Sequence, residues 1–358
     1  MLYSDVRFSV ISTFKKFTTN VYASEQKWDS IRRIPYSTPG RWVQVLDLSG
    51  VASPSRSERL LLDSLLIRLF PLVPFLTRLT FNPSFVLSRR SIEALALCDA
   101  SSHLRILEGL GYVPAVSSIA EEEPLVHLLR FCPNLEEFGV VGQGIDNTDD
   151  HFTDDISKVL LDEFIEPLRL RHLKTLTLLA VHSAPLMVAL LRSPLLSLRK
   201  LTITPYDDIS SPNSLTSAFL HVHGKQLRSL LLFTPKYWPT RLHPSPTTLL
   251  QTCPNLHHLS LETPLPVLTL LDGIPSYPHP LQLISIPRPT AEAWRILAQL
   301  LPTLHSLRAI RVRDVRWLRH GMSTRALEAG VQGEMREWKR QLNWRGIKFL
   351  DADWKESQ

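Results

Sequence analysis

The strongest constraint on this chain is a phrase it repeats. Leu-x-x-Leu-x-Leu, with other apolar residues admitted, occurs at Val43-Leu46-Leu48, Leu76-Leu79-Phe81, Leu135-Phe138-Val140, Leu173-Leu176-Leu178 and Leu198-Leu201-Ile203. It continues at Leu227-Leu230-Leu232, Leu256-Leu259-Leu261, Leu281-Ile284-Ile286 and Leu307-Ile310-Val312, and a degenerate copy, Leu104-Leu107, fills the gap after the second. First positions are 33, 28, 31, 38, 25, 29, 29, 25 and 26 residues apart, a mean of about 29 that marks a stack of similar units.

The alternation at the end of each phrase has period two, as in a short strand with one set of side chains in a core and the other facing out. Upstream lie helical runs that stop at a proline: "PLVHLLRFCP", "APLMVALLRSP", "PTTLLQTCP" and "AEAWRILAQLLP". Proline ends the helix and the chain turns into the strand. One strand and one helix cannot bury an apolar face alone, but stacked copies can. The expected fold class is therefore α/β: a leucine-rich-repeat solenoid of about ten irregular repeats, with a curved parallel sheet and helices on the convex side.

Two copies share the words "FCPNLEEF" and "TCPNLHHL". A metal site needs about four clustered ligands, and Cys132 and Cys253 stand four repeats apart. Other copies put Ser193 or Leu301 in the slot before the proline. The slot asks for a small side chain that packs inward, not for sulfur. Three Cys in 358 residues give no disulfide framework and point to a reducing compartment. The start has no continuous apolar stretch, and the run from Leu60 is broken by Asp63, Arg68 and two prolines, so neither a secretory signal nor a membrane span is expected. The expected location is cytoplasmic or nuclear. The net charge of +6 permits an acidic partner without requiring one.

The pattern breaks twice. The longest interval holds "GQGIDNTDDHFTDDISKVLLDEF", with Asp146, Asp149, Asp150, Asp154 and Asp155. It lacks the ligand order of a calcium loop and reads as a solvated acidic insertion near 142–166. Near the C-terminus, Arg308, Arg311, Arg313, Arg316 and Arg319 surround Trp317. This segment is the alternative site, for nucleic acid or an acidic partner; the preferred reading is a polar strand face. The stretch "GEMREWKRQLNWRG" reads as an amphipathic helix ending at Gly346, followed by a strand Ile347–Leu350, with Trp338 and Trp344 sealing the last repeat.

Catalytic signatures are missing. There is no P-loop, G-x-G-x-x-G, G-x-S-x-G or H-E-x-x-H pattern. His221, His223, His257 and His258 have no companion ligands, and His258 is expected to face solvent. No enzyme activity, cofactor or metal is expected.

The repeat spacing, "CPNLEEF", "CPNLHHLSL" and "GRWVQVLDLSG" resemble fungal F-box-type leucine-rich-repeat proteins. The opening "LYSDVRF" resembles the segment directly after an F-box, and "LRSLLLFTPKYWPTRLHPSP" and "EAGVQGEMREWKRQL" resemble members of the group. The resemblance covers essentially the whole chain. It implies substrate recognition in a ubiquitin-ligase receptor. The F-box, which would bind a Skp-type adaptor, is not in this chain; that partner is expected only if an F-box lies upstream. The expected organisation is a cap or first repeat over 1–40, a solenoid over 41–320 and a C-terminal cap over 321–358. The expected molecule is a monomer that holds a protein substrate on the concave sheet, with no membrane partner and no nucleic acid. Strand alternation nominates Arg78, Thr80, Asn82, Glu137, Lys200, Thr202, Thr204, His258, Ser260, Glu262, Arg311 and Arg313 as contact residues.

Overall fold

The computed structural model describes residues 4–26, 39–52, 55–113, 123–142, 166–181, 185–205, 215–234, 248–263, 265–266, 268, 279–316 and 331–356, with side chains from 335 onward in the last stretch. The acidic insertion (143–165), Trp317 and Arg319 lie outside them. The chain divides into two compact units, Met1–Leu198 and Arg199–Gln358.

Both units are α/β, built from parallel strands. The first holds β1 (Asp5–Arg7), β2 (Val45–Leu48), β3 (Arg78–Phe81), β4 (Ile106–Tyr112), β5 (Glu137–Gly142) and β6 (Thr175–Leu179), each paired with the next in chain order. The second holds β7 (Lys200–Ile203), β8 (Ser229–Leu232), β9 (His258–Ser260), β10 (Leu283–Ile286), β11 (Ala309–Val312) and β12 (Lys348–Leu350), paired in the same way. Ten of these strands fall on the ten phrases. The connections carry helices: α1 (Ile11–Gln26), α2 (Arg56–Leu69), α3 (Arg89–Ala96), α4 (Ala100–His103), α5 (Pro124–Arg130) and α6 (Pro185–Arg192) in the first unit. The second has α7 (Thr216–His223), α8 (Leu249–Thr252), α9 (Ala291–Leu300) and α10 (Val331–Asn343).

Register converts the repeated leucines into continuous ladders. Leu46, Leu79, Leu107, Phe138 and Leu176 stand side by side across β2–β6. Leu201, Leu230, Leu259, Ile284, Ile310 and Phe349 do so across β7–β12. All are 1 % exposed or less. The opening residue of each phrase is also buried, from Val43 to Leu307. Each ladder side chain withdrawn from water is worth about 1.5–3 kcal/mol.

The shared Cys-Pro-Asn-Leu phrase does two jobs. Cys132 and Cys253 are fully buried, and burial pushes both thiols up to about 12. The asparagines tie successive turns: Asn134 Nδ2 donates to Ser102 O at 2.8 Å, and Asn255 Nδ2 donates to Lys225 O at 2.7 Å. Ser197, in the same slot, donates to Arg171 O at 2.6 Å. In the slot of Cys132, Ser193 is buried because its hydroxyl accepts from Leu168 N and donates to Ala189 O.

The helices use local chemistry. Ser55 and Glu58 form a reciprocal capping box at the start of α2. Asp63, which interrupts the apolar run there, accepts from Ser88 N and Ser88 Oγ at 3.0 and 2.6 Å, anchoring the start of α3. At the other end, Trp338 on α10 packs edge-on against Trp294 on α9, ring centroids 4.9 Å apart, and lies against Phe349. Trp344 does not seal this end. It is 89 % exposed, because α10 finishes at Asn343 and the turn through Gly346 carries the ring outward.

Candidate functional site

In each unit the residues between the ladder positions line the sheet face opposite the leucines. In the first unit one row runs Asp5, Val45, Arg78, Ile106, Glu137, Thr175, and the next begins Arg7, Asp47, Thr80, Glu108. Charges alternate along the first row, and both rows mix the two signs. Arg7 makes a two-pronged contact to Asp5 at 2.9 and 3.1 Å, and Arg78 approaches Glu108 at 3.5 Å. Beside the rows, Lys174 bonds Glu136 at 2.6 Å, and this holds the Glu136 carboxyl below its ordinary range. Arg78 is exposed, and Thr80 and Glu137 are half-buried. Asn82 is a turn residue. It donates to Ser49 O and accepts from Ser84 N and Ser84 Oγ.

The second unit is different. One row reads Lys200, Ser229, His258, Leu283, Ala309, Lys348, and its neighbour Thr202, Leu231, Ser260, Ser285, Arg311, Leu350. His258 is half-buried, not solvent-facing as alternation alone suggested. Its Nε2 lies 2.9 Å from Ser285 Oγ and its Nδ1 3.3 Å from Ser229 Oγ. Burial, and then the charges of Arg311, Lys200 and Arg313, lower its pKa to about 4, so the ring is neutral near pH 7.

The two arginines are held from within. Arg311 Nη2 donates to Ala352 O at 2.6 Å, and its guanidinium lies 4.1 Å from the centre of the Trp354 ring. Arg313 Nη2 donates to Leu261 O at 2.9 Å and to Glu262 Oε1 at 2.7 Å, in an ion pair whose side chains are 17 % and 16 % exposed. Arg316 lies 3.3 Å from Asp353. Of the nominated residues, Lys200 is exposed and Thr202 half-buried, whereas Thr204 and Ser260 are fully buried. The expectation that both would face out is corrected. Thr204 stands beyond the last residue of β7, where strand alternation no longer governs, and the Ser260 hydroxyl is buried with no hydrogen-bond partner. No sequence signal separates Ser260 from an outward serine, since its burial depends on side chains of other strands.

The Ser–His–Ser line invites comparison with nucleophilic catalysis. A hydrolytic serine needs an accessible hydroxyl, a base poised near working pH and an acid orienting the base. Ser285 is fully buried, and the His258 ring is too weak a base. Among the described residues no carboxylate bonds Nδ1. His221 and His223 also fail as a pair: His221 is exposed and His223 buried at the end of α7. Among the described residues there is no group of three or more His, Cys, Asp or Glu side chains able to hold a metal, and no helix long and apolar enough to cross a membrane. No protein-family model matches the chain, and no curated protein matches it at a significant level.

Proposed function

We propose that this protein is a leucine-rich-repeat recognition scaffold, monomeric and without enzyme activity, that captures a protein substrate on its open sheet faces. The single observation that supports this most is the separation of roles on strands such as β3 and β7: buried ladder residues build the core, and polar or charged residues between them (Arg78 and Thr80, Lys200 and Thr202) lie at the surface. The resemblance to F-box-type repeat proteins extends the proposal to the substrate-receptor part of a ubiquitin ligase, working in the cytoplasm or nucleus. A Skp-type adaptor would join only if an F-box lies upstream.

The alternative, nucleic-acid or acidic-partner binding through the C-terminal arginines alone, has less support. Arg313 and Arg316 are each taken by a carboxylate, Glu262 and Asp353. Stable capture of a cellular partner by the full chain, followed by quantitative proteomics, tests the leading proposal. Arg78→Glu with Lys200→Glu, one exposed change on each unit, should release the partner while leaving circular dichroism unchanged. Retention of the same partner by the folded double variant would overturn it.

A further inference from the structure

We infer that the open face of the second unit docks an acidic peptide segment of the protein partner, with carboxylates at the Lys200 and Arg311 positions, and that Glu262 is a built-in competitor for that segment. This deepens the scaffold reading and rests on it.

The argument begins with charge. Among the described residues no carboxylate pairs with Lys200, which is exposed on β7. Arg311, on β11, is fixed by neutral acceptors, the carbonyls of Asp351 and Ala352 and the Trp354 ring, so no direct ion pair cancels its charge. Asp351 and Asp353 act on Arg311 at longer range, but among the described residues neither cation makes a direct ion pair. Lys348, at the edge on β12, shares Glu356 at 3.2 Å with both side chains largely in water. Among the described residues, Glu262, just beyond β9, is spent on Arg313. The first unit, by contrast, matches its cations with Asp5, Glu108 and Glu136.

The spacing then selects the class of partner. Lys200 and Arg311 are four strands apart, about 19 Å at the usual interstrand distance. An extended chain covers that in about six residues. Between them lie Ser229, His258, Leu231 and Leu283, with no cation. A nucleic-acid backbone carries a charge at every phosphate and would cross this neutral centre unpaired. A peptide with two separated carboxylates does not. Protonating His258 would add a cation at the middle of the face, and the low basicity of the ring keeps the centre neutral at working pH. Next to it, the Ser260 hydroxyl and Arg313 Nε are buried without hydrogen-bond partners.

Glu262 gives the inference its sharpest test. Glu262 holds Arg313, the third cation beside His258, and a carboxylate brought by a partner would have to displace it there. Removing its charge should therefore strengthen binding, whereas removing a merely structural ion pair should not.

The experiment uses the full chain and fluorescence anisotropy. The probes are a labelled synthetic peptide with glutamates about six residues apart, its Gln-for-Glu counterpart and a single-stranded DNA oligonucleotide. The glutamate peptide should bind at least about tenfold more tightly than the glutamine peptide. Lys200→Glu should weaken it about fivefold and Glu262→Gln strengthen it about threefold, the range of single solvent-facing ion pairs. Saturating peptide should also raise the His258 titration midpoint in NMR spectra, because carboxylates would offset the neighbouring cations.

Equal binding of the two peptides, tighter binding of DNA, or weakening by Glu262→Gln would each overturn the inference. A cellular partner that is released by Arg78→Glu with Lys200→Glu, but not displaced by the glutamate peptide, would leave the scaffold in place and remove only the acidic specificity. Failure of that double variant to release the partner would remove the scaffold reading, whatever the peptides do.

Discussion

At the residue scale, His258 links structure to pH. Its folded pKa of about 4 lies below the ordinary 6.5, chiefly through burial and then through Arg311, Lys200 and Arg313. Between those values the unfolded chain takes up a proton that the folded chain refuses. Stability from this group is therefore complete above 6.5 and declines as pH falls toward 4. A gap of this size corresponds to at most about 3 kcal/mol, and to roughly half that with the ring edge in water. Denaturant titrations at pH 7 and pH 4.5 should show that His258→Gln loses less stability on acidification than the parent. The cysteines make a second residue-scale case. Cys132 and Cys253 are buried, with thiols pushed up to about 12, and Cys98 is half-buried with its thiol also raised by burial. Since the thiolate is the nucleophile, iodoacetamide at pH 8 should leave Cys132 and Cys253 unmodified in the native protein and label all three in denaturant.

At the element scale, strand positions were legible because the Leu-x-x-Leu-x-Leu phrase is both the sequence signal and the physical cause of the ladders. What the phrase does not encode was harder to read. β1 carries no leucine and is fixed by pairing Asp5–Arg7 with Val45–Asp47. Asp63 interrupts an apolar run, yet it anchors the next helix rather than ending its own. β4 answers only to a degenerate phrase because its register shifts between Leu107 and Leu110, around Gly109 at φ 71°. A Cβ there would lie 2.1 Å from Phe81 O, whereas at Gly346, with φ 70°, it would meet nothing within 4 Å. Both glycines need the left-handed region, but only the first is also walled in. Gly346→Ala should cost about 1 kcal/mol, and Gly109→Ala at least about 3 kcal/mol, by urea unfolding.

At the scale of the whole molecule, the candidate site was less legible than the fold, and for a physical reason. Alternation tells which side chains leave the core but not what they meet once outside. Lys200 and Arg78 stay exposed, Arg313 is taken by Glu262 from a strand two places away, and Ser260 disappears beneath its neighbours. Those outcomes depend on pairs of residues on different strands, and no local pattern in a single repeat records them. The same division predicts how the chain tolerates change. Surface substitutions away from special features fall within about 0.5 kcal/mol each. A ladder Leu→Ala costs about 2–5 kcal/mol, against total stabilities of about 5–15 kcal/mol. A variant with Arg78, Thr80, Glu137, Thr175, Lys200, Thr202 and Ser229 all replaced by alanine should keep its far-ultraviolet circular dichroism and lose no more than about 3.5 kcal/mol. The two-residue variant Leu79→Ala with Leu230→Ala, changed at positions of zero exposure in the two units, should lose about 4–10 kcal/mol and be largely unfolded at 37 °C. If the seven-residue variant proved the less stable of the two, the open faces would belong to the folding core and the division of each strand into a core side and a recognition side would fail.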